Sequence, residues 1–506
     1  MRLLELSLAT VLAFATGVVV GVSKLLQVLA TTEGGRFATS SEAVAEQFLV
    51  AFGLAKAVGN LIAGAIADAY GRRVCMACGW AAGAIFSALV LIAKSWAAVV
   101  LCDLLLGLNQ ALCWSAALFI AHDVLEARRG VASGLIETSG YAAIALMSPA
   151  VDVLGVEKFD SMHAWLLALS IACAALTAMA LSETKESTME GGGGGGSSSS
   201  SSGGSSGGNN SSATISTSSR RFIAFPSDPA LRACCLVGLC LNLTTAYAWG
   251  AMSRWLAAQP PPSSPWPNSP AVAAADTVAD AGDATPTHYS FSVGSVLLLY
   301  SIPKGALQLL AGLLADSRWC CGAGAPALTL TGLLINTLAL LAFAALIALQ
   351  PFADPFAAAA PLAFALGAGT ACAYSPVLAC VAARTTPDRR ATALSAYRFW
   401  RDLGFAAGAI LLGHASDSAG GALWVAPCLA AVLLLVAAAV FASVYRRVGE
   451  HHSAGEVTFV ASSACRTSAL TSATRAAAGT RTALSSLDSA RERPERDGRS
   501  CRAAFR

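Results

Sequence analysis

The segment KAVGNLIAGAIAD occupies residues 56–68 and recurs, with its lysine, glycine and aspartate at the same spacing, as KGALQLLAGLLAD at residues 304–316. A second segment, GLNQALCWS at residues 107–115, likewise matches GAGTACAYS at residues 367–375. The members of each pair lie in corresponding positions of the two halves of the chain. A repeat of this length indicates a protein built from two equivalent halves.

The composition indicates which solvent surrounds those halves. Hydrophobic residues make up 55% and charged residues 12% of the 506 residues, whereas charged residues make up roughly 25% of an ordinary soluble domain. A soluble domain needs solvated side chains to cover its core, and this chain has too few of them. The composition therefore excludes a soluble protein and predicts one that is embedded in a lipid bilayer.

The apolar residues are grouped into runs long enough to cross a membrane, which takes about 20 residues in a helix. Six runs precede a tract of glycine and serine and six follow it, at residues 6–29, 44–67, 74–93, 97–121, 131–154, 163–181, 231–256, 291–315, 326–349, 361–383, 391–413 and 422–444. We therefore predict an all-α integral membrane protein with twelve transmembrane helices in two pseudo-symmetric six-helix bundles.

The chain divides into four regions by composition. We predict an N-terminal bundle at residues 1–186, a Gly/Ser-rich cytoplasmic linker at 187–228, a C-terminal bundle at 229–445 and a disordered basic tail at 446–506. Within the C-terminal bundle, residues 259–287 are rich in proline and alanine and predict an extracytoplasmic loop.

The basic residues between the runs predict the orientation of the chain. One set of loops is rich in Lys and Arg: Arg72, Arg73, Arg128, Arg129, Lys185, Arg220, Arg221, Arg232, Arg318, Arg384, Arg389 and Arg390. The alternate set has only Arg36, Lys94, Lys158 and Arg254. Because cytoplasmic loops carry the excess of basic residues, both termini are predicted to be cytoplasmic, with the plasma membrane as the expected location.

Several motifs resemble the major facilitator superfamily. GAIADAYGRR at residues 64–73 resembles the signature loop between the second and third helices of that family, except that no basic residue follows Asp68. LLGLNQALCWS at 105–115, GLIETSGY at 134–141 and YRFWRDLG at 397–404 resemble a microbial branch of it. The resemblance covers both bundles and implies a secondary carrier that works by alternating access around a site at the bilayer midplane.

The resemblance also implies a gate at the signature loop. Its candidate residues are Gly64, Asp68, Gly71, Arg72 and Arg73, with Asp316 as the counterpart of Asp68 in the second half. We expect Gly64 to allow close packing of helix backbones and Gly71 to supply a tight turn. Asp68 is expected to pair with the arginines that follow it or with the opposite bundle. The plainer alternative is that the loop only anchors the topology.

Charged residues deep inside the predicted helices are the candidates for the transport site. Lys56 and Lys304 each precede the aspartate that ends their segment by 12 residues, which places them about 18 Å from the helix end, near the bilayer midplane. Similar counts place Glu137, Arg398, Arg401, Asp402 and the polar Gln110 at comparable depths. A charge at that depth is costly, so it is expected to face a cavity or a partner.

Two interpretations of these charges stay open. In the family that the motifs resemble, the second helix packs beside the eleventh and the fifth beside the eighth. The charges then pair across the two bundles, as Lys56 with Asp402 and Lys304 with Glu137, while Arg398 and Asp402 neutralise each other within one helix at i and i+4. In the other interpretation the same side chains contact the substrate.

Three further residues, Trp114, Tyr374 and Asp103, each allow two interpretations. Trp114 and Tyr374 occupy equivalent repeat positions, where they either stack on a substrate or pack in the core. Asp103 is expected near the outer surface as a solvated residue of the vestibule rather than as a proton carrier.

The charge balance at the midplane leads to a functional hypothesis. Four cations outnumber two acids there, which favours a small anionic substrate, coupled to protons through Glu137. The alternative is a transporter-like receptor that signals without net flux. We predict no nucleic-acid partner, since the net charge is only +3. We predict no metal site, since the Cys75-x-x-Cys78 pair has no second ligand pair. We also predict no enzyme activity and no cofactor. The carrier is expected to be a monomer whose partners are its solute and the bilayer.

Overall fold

The computed structural model describes most of the apolar part of the chain. The described residues are 2–125, 128–154, 158–183, 226–259, 290–316, 324–349, 354–385 and 390–447. Nearly all of the predicted linker, Pro/Ala-rich loop and basic tail lies outside these ranges. So do Lys185, Arg220, Arg221, Arg318 and Arg389.

The first half contains six long helices and one short one. They are α1 (Arg2–Thr31), the short α2 (Glu42–Ala45), α3 (Gln47–Tyr70), α4 (Arg72–Ile92), α5 (Trp96–Val124), α6 (Arg129–Leu154) and α7 (Phe159–Ala180). Polar residues stop the apolar helices at their ends: the Ser95 hydroxyl accepts a hydrogen bond from the Ala98 amide and caps α5. Each long helix matches one of the predicted runs.

The second half contains six more long helices. They are α8 (Pro229–Ala257), α9 (Ser290–Asp316), α10 (Gly324–Ala348), α11 (Pro355–Ala383), α12 (Arg390–Ser418) and α13 (Val425–Arg447). Helix α8 contains one turn of π-helix at Ala248–Met252. Such turns widen a helix locally and often lie at functional sites.

Eleven of the twelve long helices in the described residues are apolar and long enough to cross a membrane. The exception is α12, which carries Arg398, Arg401 and Asp402 in its middle and Asp417 near its end. This helix is nevertheless packed between α3 and α8. Its charged residues are tolerated because they face other helices inside the protein, as described below.

Two helix pairs form the most extensive contacts between the halves in the described residues. Helix α6 packs on α9 and α3 packs on α12, which confirms the expected contacts of the fifth helix with the eighth and of the second with the eleventh. The α3–α12 contact is close: a Cβ atom added at Gly53 would lie 2.7 Å from the Ala406 nitrogen. The charged residues of α3 and α12 therefore lie against each other at this interface.

We call the end of the molecule that carries Gly71 to Arg73 the basic end, and the end that carries residues 32–46 the opposite end. At the opposite end, Arg254 of α8 joins the two halves. Its guanidinium donates to the Glu42 carboxylate at 2.8 Å, to the Thr31 carbonyl at 3.0 Å and to the Thr39 carbonyl at 3.0 Å. Arg254 and Glu42 are both buried.

A second contact at the opposite end involves Asp417 of α12. Its carboxylate accepts hydrogen bonds from the Ser41 hydroxyl at 2.7 Å and from the backbone amides of Glu42 and Ala43 at 2.9 and 3.2 Å. Asp417 thereby caps the start of α2, where the helix leaves backbone amides without intrahelical partners. Arg254 and Asp417 thus hold residues 31–46 of the first half against the second half.

We expect Arg254→Gln to destabilise the protein, because it leaves the Glu42 carboxylate buried without its cation. Breaking a buried ion pair from one side costs about 3–5 kcal/mol. The thermal unfolding midpoint of the purified protein in detergent should fall clearly.

The matched control is Asp160→Asn, which breaks the pair of Arg36 and Asp160 on the same end. The side chain of Asp160 is 61% exposed, and an exposed pair contributes about 0–1 kcal/mol. Equal, small shifts of the midpoint in the two variants would contradict a closing role for Arg254.

Candidate functional site

The signature loop at the basic end has a defined structure. Gly71 joins α3 to α4 with a φ angle of +96°, a conformation that favours glycine. The Glu183 carboxylate accepts hydrogen bonds from the amides of Arg72 and Arg73 at 2.8 and 3.3 Å. It thus caps the first turn of α4, where a negative charge is favourable. The expected tight turn at Gly71 is present.

The arginines of this loop bind within the first half. Arg72 lies 3.1 Å from the Asp123 carboxylate and 3.7 Å from that of Asp68, and the Arg73 guanidinium donates to the Ala178 carbonyl. In the described part of the chain, all polar partners of Arg72 and Arg73 lie in the first half. The pairing of Asp68 with a following arginine is present, and neither arginine contacts the opposite bundle in this conformation.

The expectation for Gly64 is wrong. A Cβ atom at Gly64 would meet only the Ser395 hydroxyl at 3.5 Å, an ordinary contact, whereas one at the repeat counterpart Gly312 would lie 2.9 Å from the Gly130 carbonyl oxygen. At this repeat position, close backbone approach therefore occurs at Gly312 and not at Gly64, because α9 packs on α6 there. Asp316 ends α9, and its side chain lies outside the described part.

The centre of the molecule is organised around the carboxylate of Asp402. Arg401 donates to both of its oxygens, from Nε at 2.7 Å and from Nη2 at 2.8 Å. Asn60 of α3 and Asn242 of α8 donate their amide groups at 2.5 and 2.8 Å. Lys56 Nζ lies 3.7 Å away. These five residues, which we call the Asp402 cluster, join three helices across the interface of the halves.

The Asp402 cluster confirms one predicted pair and corrects another. The predicted contact of Lys56 with Asp402 is present. Arg398, however, does not pair with Asp402: its place is taken by Arg401, although neighbours at i and i+1 do not usually face each other on a helix. The long guanidinium of Arg401 folds back onto both carboxylate oxygens and also lies over the Tyr374 ring, 5.0 Å from its centroid.

Arg398 has only a neutral partner. Its Nη1 donates to the Ser115 hydroxyl at 3.0 Å, and that hydroxyl donates to the Asn60 carbonyl oxygen at 3.3 Å. The Nε group of Arg398 is buried and has no hydrogen-bond partner among the described residues. Arg398 is only 5% exposed. Its charge is therefore buried, and no described carboxylate lies within ion-pair distance of it.

Lys304 also has neutral partners, which corrects the predicted pair with Glu137. Its ammonium donates to the hydroxyls of Thr245 and Tyr300, each at 3.0 Å, and lies 4.6 Å from the centroid of the Tyr141 ring. No described carboxylate lies within ion-pair distance of Lys304. Glu137 interacts with it only at longer range. The reason is that the hydroxyls of Thr245 in α8 and Tyr300 in α9 lie closer to the ammonium than the Glu137 carboxylate of α6 does.

The remaining predicted site residues are buried near these clusters. Gln110 is buried, and its Oε1 atom has no hydrogen-bond partner among the described residues. Trp114 packs edge-on against Tyr141 with ring centroids 5.7 Å apart, as in ordinary core packing. Glu137 is buried and forms no ion pair within the described part of the chain.

The expectation for Asp103 is wrong. Asp103 is completely buried, because α1 covers this face of α5, and it accepts a hydrogen bond from Gln27 at 2.9 Å. Lys24, one turn of α1 before Gln27, is also buried. Its ammonium lies over the rings of Phe52 and Phe405, 3.6 and 4.4 Å from their centroids.

The sequence contained a usable signal for only some of the residues that complete the site. Asn60 follows Lys56 by one helical turn and so had to share its face. The contribution of Asn242 could not be inferred, because no motif or charge singles it out. The same holds for Ser115, Thr245 and Tyr300, whose hydroxyl groups become site residues only when the helices pack.

We expect Asp402→Asn to destabilise the protein by about 3–5 kcal/mol, because Arg401 is then buried without its carboxylate. The double variant Asp402→Asn/Arg401→Gln removes both charges and should be more stable than the single variant. Thermal unfolding of the purified variants measures both effects. A double variant that loses the sum of the two single losses would show that the pair is not coupled.

Two solved structures that resemble this one are of a nucleoside transporter. The nucleoside transporter NupG has a TM-score of 0.57 at 14% sequence identity, with 86% of this chain and 99% of that chain covered. A mutant of NupG has a TM-score of 0.58 at 15% identity, with 87% and 99% covered. Identities this low establish a shared fold only. A comparison with curated protein sequences gave no significant match.

The family comparison covers nearly the whole chain. The family model described as Major Facilitator Superfamily matches residues 6–257 and 266–487. The match includes both copies of the repeat and every helix described above. The fold, the repeat and this match agree, and the chain is a member of the major facilitator superfamily of membrane transporters.

Proposed function

We propose that the protein is a secondary carrier for a small anionic solute, held between the two halves and moved by alternating access. The observation that carries this proposal is the buried guanidinium of Arg398, whose one hydrogen-bond partner among the described residues is the Ser115 hydroxyl. A buried charge without a counter-charge is costly in a membrane protein. A solute that brings a negative charge offsets that cost.

The buried charges in the middle of the bundle support an anion. Among the described residues there, five buried cations, Lys24, Lys56, Lys304, Arg398 and Arg401, face three buried acids, Asp103, Glu137 and Asp402. Asp402 is engaged by Arg401 and Lys56. Glu137 interacts with Lys304 and with the cations of the Asp402 cluster at longer range. Positive charge is therefore in excess where Arg398 and Lys304 lie.

The two uncompensated cations differ in chemistry. Arg398 presents a planar fork that matches a carboxylate or phosphate group in two hydrogen bonds. Lys304 is a compact charge held by two hydroxyls. We propose that Arg398 orients the anionic group of the solute, while Lys304 contributes charge from the second half.

Several features of the cycle belong to the same proposal. The basic end faces the cytoplasm of a plasma-membrane carrier, with both termini on that side, because the Lys- and Arg-rich loops are there. The contacts of Arg254 and Asp417 then close the outer side, and the signature loop closes the inner side in the other state. We also propose that the carrier works as a monomer.

We expect Arg398→Gln to weaken anion binding about 10- to 100-fold, since a charge-assisted hydrogen bond contributes about 1.5–3 kcal/mol. Counterflow of radiolabelled inorganic phosphate, succinate and lactate into proteoliposomes, together with uridine as a neutral nucleoside, measures the effect. Arg398→Lys should recover part of the affinity. The control is Arg36→Gln, at an exposed ion pair of the opposite end.

Three outcomes of this assay would contradict the proposal. Uptake of uridine without uptake of any anion would indicate a neutral substrate, as in the nucleoside transporter that shares the fold. Binding of an anion without accumulation would indicate a receptor. Unchanged anion affinity in Arg398→Gln would show that the solute binds elsewhere.

A further inference from the structure

Asp103 is a buried acid that the proposed binding site does not use. It lies seven residues after Trp96, the first residue of α5, and so about 10 Å from the end of this helix that lies at the opposite end of the molecule. Its Oδ1 atom accepts one hydrogen bond, from Gln27 at 2.9 Å. Its Oδ2 atom is buried and has no hydrogen-bond partner in the described part of the chain.

This environment does not suit an ionised carboxylate. Two carboxylate oxygens offer about four acceptor positions, and burying a charge without paired donors is costly. The carboxylate of Asp402 shows the contrast within the same protein, since it accepts four hydrogen bonds from three side chains. A proton on Oδ2 would remove the charge of Asp103. The neutral acid would then need only the one hydrogen bond that Gln27 donates to Oδ1.

Lys24 is the cation nearest to this acid, but it is not paired with it. Lys24 and Asp103 interact electrostatically, yet no described carboxylate lies within 4.0 Å of the Lys24 ammonium. The ammonium instead faces the rings of Phe52 and Phe405, which attract a cation through their π electrons. An ionised Asp103 would compete with these rings for Lys24.

The other charged groups around the pair are few. Cys102 is the neighbouring titratable group of Asp103 on α5. Lys24 also interacts with Lys56 of α3, Lys304 of α9 and Asp402 of α12. Glu137, by contrast, lies among Lys56, Lys304, Arg398 and Arg401, where its charge is part of their counter-charge.

We propose that Asp103, and not Glu137, is the proton-binding site of the carrier. This proposal rests on the proposed transport function. A proton from the aqueous phase forms an O–H bond at Oδ2 and neutralises the carboxylate, while Lys24 keeps its own proton and stays on the aromatic rings. When the proton leaves, the carboxylate draws Lys24 away from Phe52 and Phe405.

The position of Lys24 connects the proton to the conformation. Phe52 lies on α3 in the first half, and Phe405 lies on α12 in the second. Trp249, in the π turn of α8, lies 5.8 Å from the same ammonium. Arg254 follows that turn and closes the opposite end. Departure of Lys24 therefore removes a contact between α1, α3 and α12 and favours separation of the halves.

Infrared difference spectroscopy on the full chain in nanodiscs tests the protonation step with protons as the only probe. The wild type should show a carboxylic-acid C=O band at neutral pH that disappears at alkaline pH. Glu46 at the opposite end is a further buried acid, and both of its carboxylate oxygens lack hydrogen-bond partners among the described residues. Asp103→Asn should therefore lose a component of this band that Glu46→Gln and Glu137→Gln both retain. The opposite result for Asp103→Asn and Glu137→Gln, or a wild type without the band, would overturn the proposal.

A second variant covers the case in which Asp103→Asn does not fold. Gln27→Leu removes the one hydrogen bond to Asp103 and should shift the frequency of the C=O band without abolishing it. A band at the wild-type frequency in Gln27→Leu would show that the acid observed is not Asp103.

A flux assay separates this proposal from the proposed function. With the liposome lumen one pH unit more alkaline, one proton per monovalent anion supports about tenfold accumulation, since a pH unit is worth 1.36 kcal/mol. Asp103→Asn should lose this accumulation and keep anion exchange. Wild-type accumulation in this variant overturns the role of Asp103 but leaves the carrier intact. A wild type that transports no anion overturns the carrier, while the infrared result still decides the proton site.

Discussion

The buried carboxylate of Asp402 is the constraint on which the centre of the protein depends. Arg401 from its own helix, Lys56 and Asn60 from α3 and Asn242 from α8 all converge on it. The arrangement satisfies a charge that the bilayer interior would otherwise exclude. It also explains why α12, which is too polar to be recognised as a membrane span, lies inside the protein: its charged face never meets lipid.

Satisfying Asp402 leaves other charges of the site unsatisfied, and this imbalance suggests a function. Arg401 and Lys56 contact the carboxylate. Among the described residues, the hydrogen-bond partners of Arg398 and Lys304 are hydroxyls. The first pair of cations stabilises the contact between α3 and α12. In the proposed function, the second pair binds the solute. A carrier needs cations that stabilise the contact between its halves and others that bind the solute, because the halves must pack stably and still move relative to each other.

Much of the fold and part of the site could be predicted from the sequence. The repeat and the apolar runs predicted the helices, and counting residues from the helix ends predicted which charges lie deep. Such a count gives the depth of a residue, not the direction in which its side chain points. Lys56 was therefore matched correctly with Asp402, while Lys304 and Arg398 were given the wrong partners. Asp103 was placed near the surface because its burial depends on α1, whose packing the sequence does not reveal.

The central claim is that buried, uncompensated positive charge selects an anionic solute. It is tested most directly by calorimetric titration of the purified carrier with a monocarboxylate that it transports and with the methyl ester of that monocarboxylate, which has a similar shape and no charge. The account predicts binding of the anion and none of the ester at the same concentration. Equal affinity for the two ligands would contradict it.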